Sequence, residues 1–403
     1  MDHRKQRRVC VIGLGYIGLP TAALLANRGH RIFGIDTNID AVETINQGRI
    51  HIVEPDLDTF VRAAVESGNL TAHRAPQPAD VFIIAVPTPF AENHVPDLSY
   101  VDAATRSIAP HVIPGNSIIL ESTSPVGTTE RVERILQEEG IDTKTMAIAH
   151  CPERVLPGRV MIELTENDRI VGGLTREATS TVAAFYREFV TGAVLETDAR
   201  TAEMTKLVEN ASRDVQIAFA NELSILSDRF GINVWDLIEL ANHHPRVNIL
   251  QPGTGVGGHC IAVDPWFVIT AAEGDAKLME TARLRNIEKT EWVIKKITSR
   301  AQAFAEEAGR PAVVAAMGLA FKPNIDDLRE SPALFVARTL SEAGINLIVA
   351  EPNIENHPEF TVLSPEKAIA QADIVAFLVA HREFFTLPVS PEKTLDFCGV
   401  IKA

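Results

Sequence analysis

The chain has 403 residues, 46% of them hydrophobic and 23% charged, with a net charge of −15; this is a soluble globular composition, and the length is too great for one ordinary core, so two or three domains are expected. The acidic balance argues against general binding to nucleic acid or to an anionic membrane, so an anionic ligand must be held by local basic residues. Four widely spaced cysteines, Cys10, Cys151, Cys260 and Cys398, include no CxxC pair and offer neither a disulfide framework nor a zinc site; no metal is expected, and a reducing cytoplasm is the expected compartment.

The basic start, Met1 to Arg8, meets too few apolar residues before Gly13 for a signal segment or a membrane span, and reads as a lead into a strand. An apolar run from Arg8 to Ile12 then enters Gly13-Leu14-Gly15-Tyr16-Ile17-Gly18, followed by a helical stretch from Pro20 to Arg28 closed by Gly29. Strand, glycine-rich turn and helix in this order form a dinucleotide fingerprint: Gly15 permits close approach of a pyrophosphate to the helix N-terminus, and Gly18 lets helix and strand pack. A second strand, Arg31 to Ile35, ends at Asp36, whose carboxylate would accept from ribose hydroxyls and repel a 2′-phosphate, which favours NAD.

Apolar runs at Ala79 to Val86 and Ser117 to Leu120 end in Pro87-Thr88-Pro89 and in Glu121-Ser122-Thr123-Ser124-Pro125. The C-terminal ends of parallel strands line the ligand crevice, so Thr88 and Thr123 either contact a ligand there or cap the helices that follow. A strand from Thr145 to Ala149 ends in His150-Cys151-Pro152-Glu153-Arg154-Val155, which places Glu153 and Arg154 toward the same crevice. From Ala202 to Phe230 there is no Gly or Pro, and apolar residues recur at helical spacing, which predicts one long helix closed by Gly231. Lys206, Asn210 and Arg213 share one face of it, either as a solvated stripe or as site residues.

A short helix, Val234 to His243, delivers the chain into Pro245 to Trp266, where Gly253, Gly255, Gly257 and Gly258 surround Cys260; a tight loop is expected, with glycines letting a ligand approach. Another long amphipathic helix, Lys277 to Glu306, completes a helical middle segment. After Gly309-Arg310-Pro311 the βαβ pattern returns with a strand from Ala312 to Met317, a helix near Ser331 to Ala343, and strands from Asn346 to Glu351 and Ile374 to Val379. The expected architecture is α/β: two Rossmann-like doubly wound domains, residues 1–198 and 309–403, joined by a helical domain, 199–308, that carries the long central helix.

With these residues in view, the chain resembles the UDP-glucose/GDP-mannose dehydrogenase family over essentially its whole length. The resemblance is carried by Gly13 to Gly18, Val86-Pro87-Thr88-Pro89, Glu121-Ser122-Thr123, Pro152-Glu153-Arg154, the Lys206 and Asn210 pair, and Gly257-Gly258-His259-Cys260. Within the family it is most similar to the branch acting on UDP-N-acetyl-D-mannosamine, through stretches such as Asn242-His243-His244-Pro245-Arg246 and Cys260-Ile261-Ala262-Val263-Asp264. The end of the chain, Leu395 to Ala403, departs from the pattern of that branch.

The resemblance implies a four-electron oxidation of a sugar C6 alcohol to a carboxylate with two NAD, through a Cys260 thiohemiacetal and thioester, the thiol being the group such chemistry needs. Glu153 or Asp264 would orient or deprotonate the hydrolytic water, and Lys206 and Asn210 would stabilise negative charge on oxygen, Lys206 also serving as acid or base. It implies NAD at Gly13, Gly15, Tyr16, Ile17, Gly18, Asp36, Thr88 and Thr123. It implies the UDP-sugar at Arg154, Val155, Lys206, Asn210, Arg213, His244, Arg246, Gly257, Phe321, Lys322 and Arg329, and a homodimer at least. A UDP-N-acetyl-D-glucosamine 6-dehydrogenase is the near alternative. A two-electron hydroxyacid dehydrogenase, or a non-catalytic NAD-binding protein, is the remote one.

Overall fold

The computed structural model describes residues 6–91, 94–156, 158–258 and 260–401; His259 and Pro157, which belong to two of the motifs above, lie outside them. Contacts divide the chain into two compact units, one ending at Val208 and the other beginning at Glu209, so the helical segment and the C-terminal sheet share the second unit.

The first unit is built on eight strands: β1 (Arg8–Ile12), β2 (Arg31–Ile35), β3 (Leu70–His73), β4 (Val81–Ile84), β5 (Ser117–Leu120), β6 (Ala147–His150), β7 (Arg169–Gly173) and β8 (Val194–Asp198). Their order is β3-β2-β1-β4-β5-β6-β7-β8, parallel throughout except where β7 runs antiparallel to β6. The first six follow the doubly wound order of dinucleotide-binding folds. Both faces are covered, which is why β4 is apolar at every position. Val9, Val11, Ile83 and Ile119 enter one core, and their neighbours Cys10, Ile12, Phe82, Ile84, Ile118 and Leu120 enter the other.

The central helix, Ala199–Phe230, runs from the first unit into the second and is closed by Gly231 (φ 67°), with Ile232 N–H donating to Ser227 O at 2.8 Å. It is followed by helices Val234–Asn242, Asp264–Ala271 and Lys277–Ala308. The expected loop through Trp266 ends sooner, because Pro265 sits in the first turn of the Asp264–Ala271 helix, where a missing N–H costs nothing. The second sheet has strands β9 (Val313–Met317), β10 (Asn346–Ala350), β11 (Val362–Leu363), β12 (Ile374–Phe377) and β13 (Thr394–Asp396), all parallel, in the order β11-β10-β9-β12-β13. Val293, Ile297 and Ala301 of the Lys277–Ala308 helix pack on one face, with Val314, Ala316, Ile374 and Ala376. Among the described residues no helix is long and apolar enough to cross a membrane.

Candidate active site

At the glycine turn of the first unit, Gly13 (φ 91°) donates its N–H to Ile35 O at 2.8 Å, and a Cβ there would stand 2.5 Å from Ala85 O. A Cβ on Gly18 would stand 1.8 Å from Gly13 O, so turn and helix meet backbone to backbone, whereas a Cβ on Gly15 would have no atom within 4 Å. The helix Gly18–Asn27 begins behind Ile17 with no side-chain cap and no acidic residue in its first turn. A helix start with neither a side-chain cap nor an acidic residue, behind an open glycine, suits an anionic pyrophosphate. Asp36, half-buried at the end of β2, accepts from Leu14 N–H at 3.0 Å and from Asn38 N–H at 2.9 Å; its remaining lone pairs suit ribose hydroxyls. Tyr16 is exposed and Ile17 half-buried beside this turn. These groups fit NAD.

Thr88 Oγ1 donates to Thr123 O at 2.6 Å, and Ser122 Oγ to Val86 O at 2.7 Å, so hydroxyls cross-tie the loops after β4 and β5. Neither threonine caps a helix. The following helices begin behind Leu98 and Gly127, and the second of these is served by Glu203, which accepts from Gly127 N–H at 2.6 Å and Thr129 N–H at 2.7 Å.

Glu153, expected at the crevice, is buried just beyond β6 in a cluster of polar side chains. Its Oε2 lies 2.6 Å from Arg169 Nη1, with side-chain exposures of 6% and 3%, and its Oε1 accepts from Arg154 N–H at 2.6 Å. The Arg169 guanidinium stands 5.5 Å over the Tyr186 ring, and Tyr186 Oη donates to Glu121 Oε1 at 2.6 Å. Burial pushes the Glu121 carboxyl up to about 7, with Arg169 opposing, and pushes the Cys151 thiol up to about 12. Cys151 is therefore a thiol at neutral pH and no nucleophile. Arg154 and Val155 are half-buried beside this cluster, with Arg154 Nη1 donating to Asp168 O at 3.1 Å. Lys206 is half-buried on the central helix.

In the second unit Cys260 is half-buried on a turn in which its carbonyl accepts from Val263 N–H at 3.1 Å and Asp264 N–H at 2.8 Å. The buried Asp264 takes the Asn210 amide, Nδ2 to Oδ2 at 2.5 Å. Thus Cys260, Asp264 and Asn210 are brought together. Residues not anticipated from sequence hold the loop. Arg283 Nη1 donates to Ile261 O at 3.3 Å and pairs with Asp214 at 3.2 Å; Asn286 donates to Asp214 Oδ1 at 2.8 Å and accepts from Asn221 Nδ2 at 2.8 Å; Asn221 Oδ1 in turn accepts from Gly253 N–H at 2.9 Å. Thr290 Oγ1 donates to Thr254 O at 3.0 Å. Burial raises the Asp214 carboxyl to about 6 against the pull of Arg283.

The loop glycines are needed mostly for the chain's own packing, not for ligand approach. A Cβ on Gly255 would stand 2.3 Å from Thr290 Oγ1, one on Gly257 2.3 Å from Glu330 O, and one on Gly258 2.8 Å from the Phe321 ring; only Gly253 has room, its nearest atom being 3.9 Å away. Gly253 and Gly255 line a cleft of about 1110 Å³ together with Arg213, Trp235, Phe321 and Gly399. His244, Arg246, Gly257, Lys322 and Arg329 are not among its lining residues. His244, Arg246 and Lys322 are exposed, and Arg329 forks onto Asp327 with Nη2 to Oδ2 at 2.6 Å. Among the described residues no three His, Cys, Asp or Glu side chains cluster as a metal site would require.

A doubly wound sheet with an open glycine turn and a carboxylate at the end of β2 defines a dinucleotide-binding dehydrogenase fold. The chain matches the UDP-glucose/GDP-mannose dehydrogenase family in three segments: its NAD binding domain at residues 7–190, its central domain at 200–288 and its UDP binding domain at 315–402. It belongs to that family and is an NAD-dependent dehydrogenase. It is 53% identical to an NDP-N-acetyl-D-galactosaminuronic acid dehydrogenase of Ralstonia nicotianae, covering 94% of this chain and 92% of the relative. It is 51% identical to a UDP-N-acetyl-D-mannosamine dehydrogenase of Campylobacter jejuni, covering 97% and 99%. Among solved structures, the UDP-N-acetyl-mannosamine dehydrogenase of S. aureus superposes with a TM-score of 0.87 at 39% identity, over 98% of this chain and 96% of that one.

Proposed function

We propose that the chain oxidises the C6 alcohol of UDP-N-acetyl-D-mannosamine to UDP-N-acetyl-D-mannosaminuronate, a four-electron reaction consuming two NAD per sugar. The observation that supports this reading is the Cys260 turn, where the carbonyl of the half-buried Cys260 accepts from Asp264 N–H and the Asp264 carboxylate takes the Asn210 amide. Bound NAD supplies the hydride acceptor at each oxidation. Gly13, Gly15, Tyr16, Ile17, Gly18 and Asp36 hold it, with Thr88 and Thr123 lining the strand ends beside them.

The Cys260 thiolate adds to the aldehyde carbon; a C–S bond forms and the carbonyl pair moves to oxygen, giving a thiohemiacetal. After the second oxidation, water attacks the resulting thioester, the C–S bond breaks, and the thiolate leaves with release of the carboxylate. Asn210 and Lys206 donate to the oxygen on which charge grows, and Asp264 fixes the direction of the Asn210 amide. Glu153 orients the water, and Glu153 or Asp264 takes the proton that it loses on attack. The cleft lined by Arg213 and Phe321 takes the UDP portion, with Arg154, Val155, His244, Arg246, Gly257, Lys322 and Arg329 as further contacts.

A second substrate reading, the N-acetyl-D-galactosamine configuration, is favoured by the Ralstonia relative at 53% identity. Limiting UDP-N-acetylmannosamine with excess NAD is expected to give two NADH and no released aldehyde; one NADH per sugar would end the four-electron reading. The galacto and gluco N-acetyl sugars and UDP-glucose complete the panel, and a higher kcat/KM on one of them would replace the mannosamine assignment. Cys260→Ser is expected to abolish uronate formation, and near wild-type turnover would remove the covalent mechanism.

The active form proposed is a cytoplasmic homodimer. Phe219 and Phe230 on the central helix are 54% and 67% exposed, and Leu284 and Ile287 on the Lys277–Ala308 helix 46% and 42%, apolar side chains that a second copy would cover. Sedimentation at micromolar protein is expected to give twice the 43.9 kDa chain mass, and cell fractionation to place the protein with soluble cytoplasmic enzymes.

A further inference from the structure

The buried cluster around Glu153 points to a role for a residue that the chemistry above leaves out. Arg169, at the start of β7, is 2% exposed. Its Nη1 lies 2.6 Å from Glu153 Oε2, and its Nη2 donates to Leu164 O at 3.3 Å. One face of the guanidinium is occupied by the Tyr186 ring at 5.5 Å, and Tyr186 is itself pinned by its hydroxyl on Glu121 at 2.6 Å. We propose that Arg169 is a positioning residue, fixing the direction in which Glu153 presents its carboxylate to the hydrolytic water while Tyr186 and Glu121 fix Arg169. The proposal rests on the reading of Glu153 as the water-orienting group.

A glutamate ordinarily turns about three side-chain torsions. Glu153 is engaged at both oxygens, by the Arg169 ion pair at 2.6 Å on one and by Arg154 N–H on the other, which restricts rotation of its carboxylate. Stability alone gives little reason for such a pair, because desolvating two charges roughly cancels their attraction. The surroundings also settle the charge count. Burial opposes the Arg169 charge, but Glu153, then Cys151 and Glu121, hold its pKa above the ordinary arginine value. Glu121 is pushed up to about 7, by burial first and by Glu153, against Arg169 and the hydroxyls of Tyr186 and Thr21. Below that pH one guanidinium faces one carboxylate, and above it two carboxylates compete for the guanidinium.

The test uses the purified full chain with UDP-N-acetylmannosamine and NAD, comparing Glu153→Gln, Arg169→Gln, Arg169→Lys and Glu121→Gln. Glu153→Gln is expected to lose about a hundredfold in kcat, as loss of a positioned acid–base group does. Arg169→Gln should fall comparably and Arg169→Lys only about tenfold, with KM for sugar and NAD within about threefold. Glu121→Gln is expected to remove an inflection near pH 7 from the kcat profile of the wild type. If Glu153→Gln turns over normally, the reading of Glu153 falls and the proposal falls with it. If Glu153→Gln is impaired while folded Arg169→Gln keeps its kcat, the positioning role alone is overturned. If Arg169→Gln does not fold, the decision passes to Arg169→Lys and Glu121→Gln: a wild-type kcat in the first together with a pH profile superimposed on the wild type in the second overturns the proposal, and a lowered kcat with the pH 7 inflection removed supports it.

Discussion

The two α/β sheets solve the same local problem and put the result to different uses. In each, the first strand ends in a glycine with positive φ, Gly13 at 91° and Gly318 at 97°, whose N–H donates to the last residue of the neighbouring strand at 2.8 Å, Ile35 O in one and Ala350 O in the other. In each, the next residue of that neighbour is acidic and takes a leucine N–H from the turn: Asp36 from Leu14 at 3.0 Å and Glu351 from Leu319 at 2.7 Å. There the likeness stops. Asp36 is half-buried, and the helix behind Gly15 has no side-chain cap. Glu351 is buried, takes a second turn N–H from Ala320 at 3.1 Å and His381 Nε2 at 3.1 Å, and the helix that follows, Pro332–Glu342, is capped by Ser331. A repeated topology therefore suits a cofactor only where its helix start is left without a side-chain cap and its carboxylate retains spare hydrogen-bonding capacity; where these are used internally, the same turn becomes a wall, and Ala320 and Phe321 line the cleft of the second unit.

The sharpest way to break this comparison is at the glycines of the first turn. Gly18→Ala would put a methyl 1.8 Å from Gly13 O, a backbone atom that cannot swing aside; a loss of about 3 kcal/mol or more, and of NAD binding with it, is expected. Gly15→Ala has clear space, with nothing within 4 Å, so stability should stay within about 0.5 kcal/mol. NAD affinity should nevertheless fall about tenfold or more, since the methyl occupies the approach of the pyrophosphate. Thermal unfolding and fluorescence titration with NADH separate the two. Equal destabilisation by both variants would show that the turn is held by packing alone.

A second pair of variants probes the carboxylates. Glu351→Gln turns an amide N–H₂ toward donors or an acceptor-poor interior, which should cost about 2 kcal/mol in the second unit and leave NAD affinity unchanged. Asp36→Asn should cost little stability but narrow the preference for NAD over NADP, measured as the ratio of kcat/KM values, because the charge that repels a 2′-phosphate is gone. An unchanged ratio would remove Asp36 from the ribose.

Much of this was legible in the sequence, for identifiable reasons. β1, β2 and β5 run from end to end where the apolar runs predict them, because strands buried on both faces are continuous in hydrophobicity. The central helix begins at Ala199, three residues before the predicted start, and ends as predicted at Phe230. Short or edge strands such as β11, only Val362–Leu363, have no such signal. Cys260, Asn210 and Asp264 were singled out through the family resemblance, and the structure links them, Asn210 to the Asp264 carboxylate and Asp264 N–H to the Cys260 carbonyl. Asp214, Asn221, Arg283 and Asn286 were not, although Arg283, Asn286 and Thr290 recur at helical spacing on one face. A polar stripe reads equally well as solvated, and only packing shows that these residues are buried. The burial of Glu153 was not legible for a related reason: its partner Arg169 is 16 residues away, and nothing in either motif announces the pair.

The last contrast is between the buried cations of the two units. Arg169 is matched by a carboxylate, whereas Lys289, 1% exposed, donates to the neutral Ser224 Oγ at 2.7 Å and stands 4.0 Å over the Trp292 ring. Burial lowers the Lys289 pKa from 10.5 to about 7; Asp228 opposes this, and Arg285 and Lys296 add to it. A base with a depressed folded pKa contributes stability that is fully present above its unfolded pKa and is lost as pH falls through its folded one. Between about pH 7 and 10 the unfolded chain therefore binds one more proton at this site than the folded chain, and stability should rise by up to about 1.4 kcal/mol per pH unit from Lys289 alone. Lys289→Met removes the titration, so the difference in unfolding midpoint between variant and wild type should be largest near pH 7, in favour of the variant, and shrink as pH rises. Other groups titrate over the same range, but they are common to both proteins and cancel in the difference. Midpoints that run parallel from pH 7 to 9.5 would mean that Lys289 stays charged inside the fold, its cation carried by Ser224 and Trp292 as effectively as Arg169 is carried by Glu153.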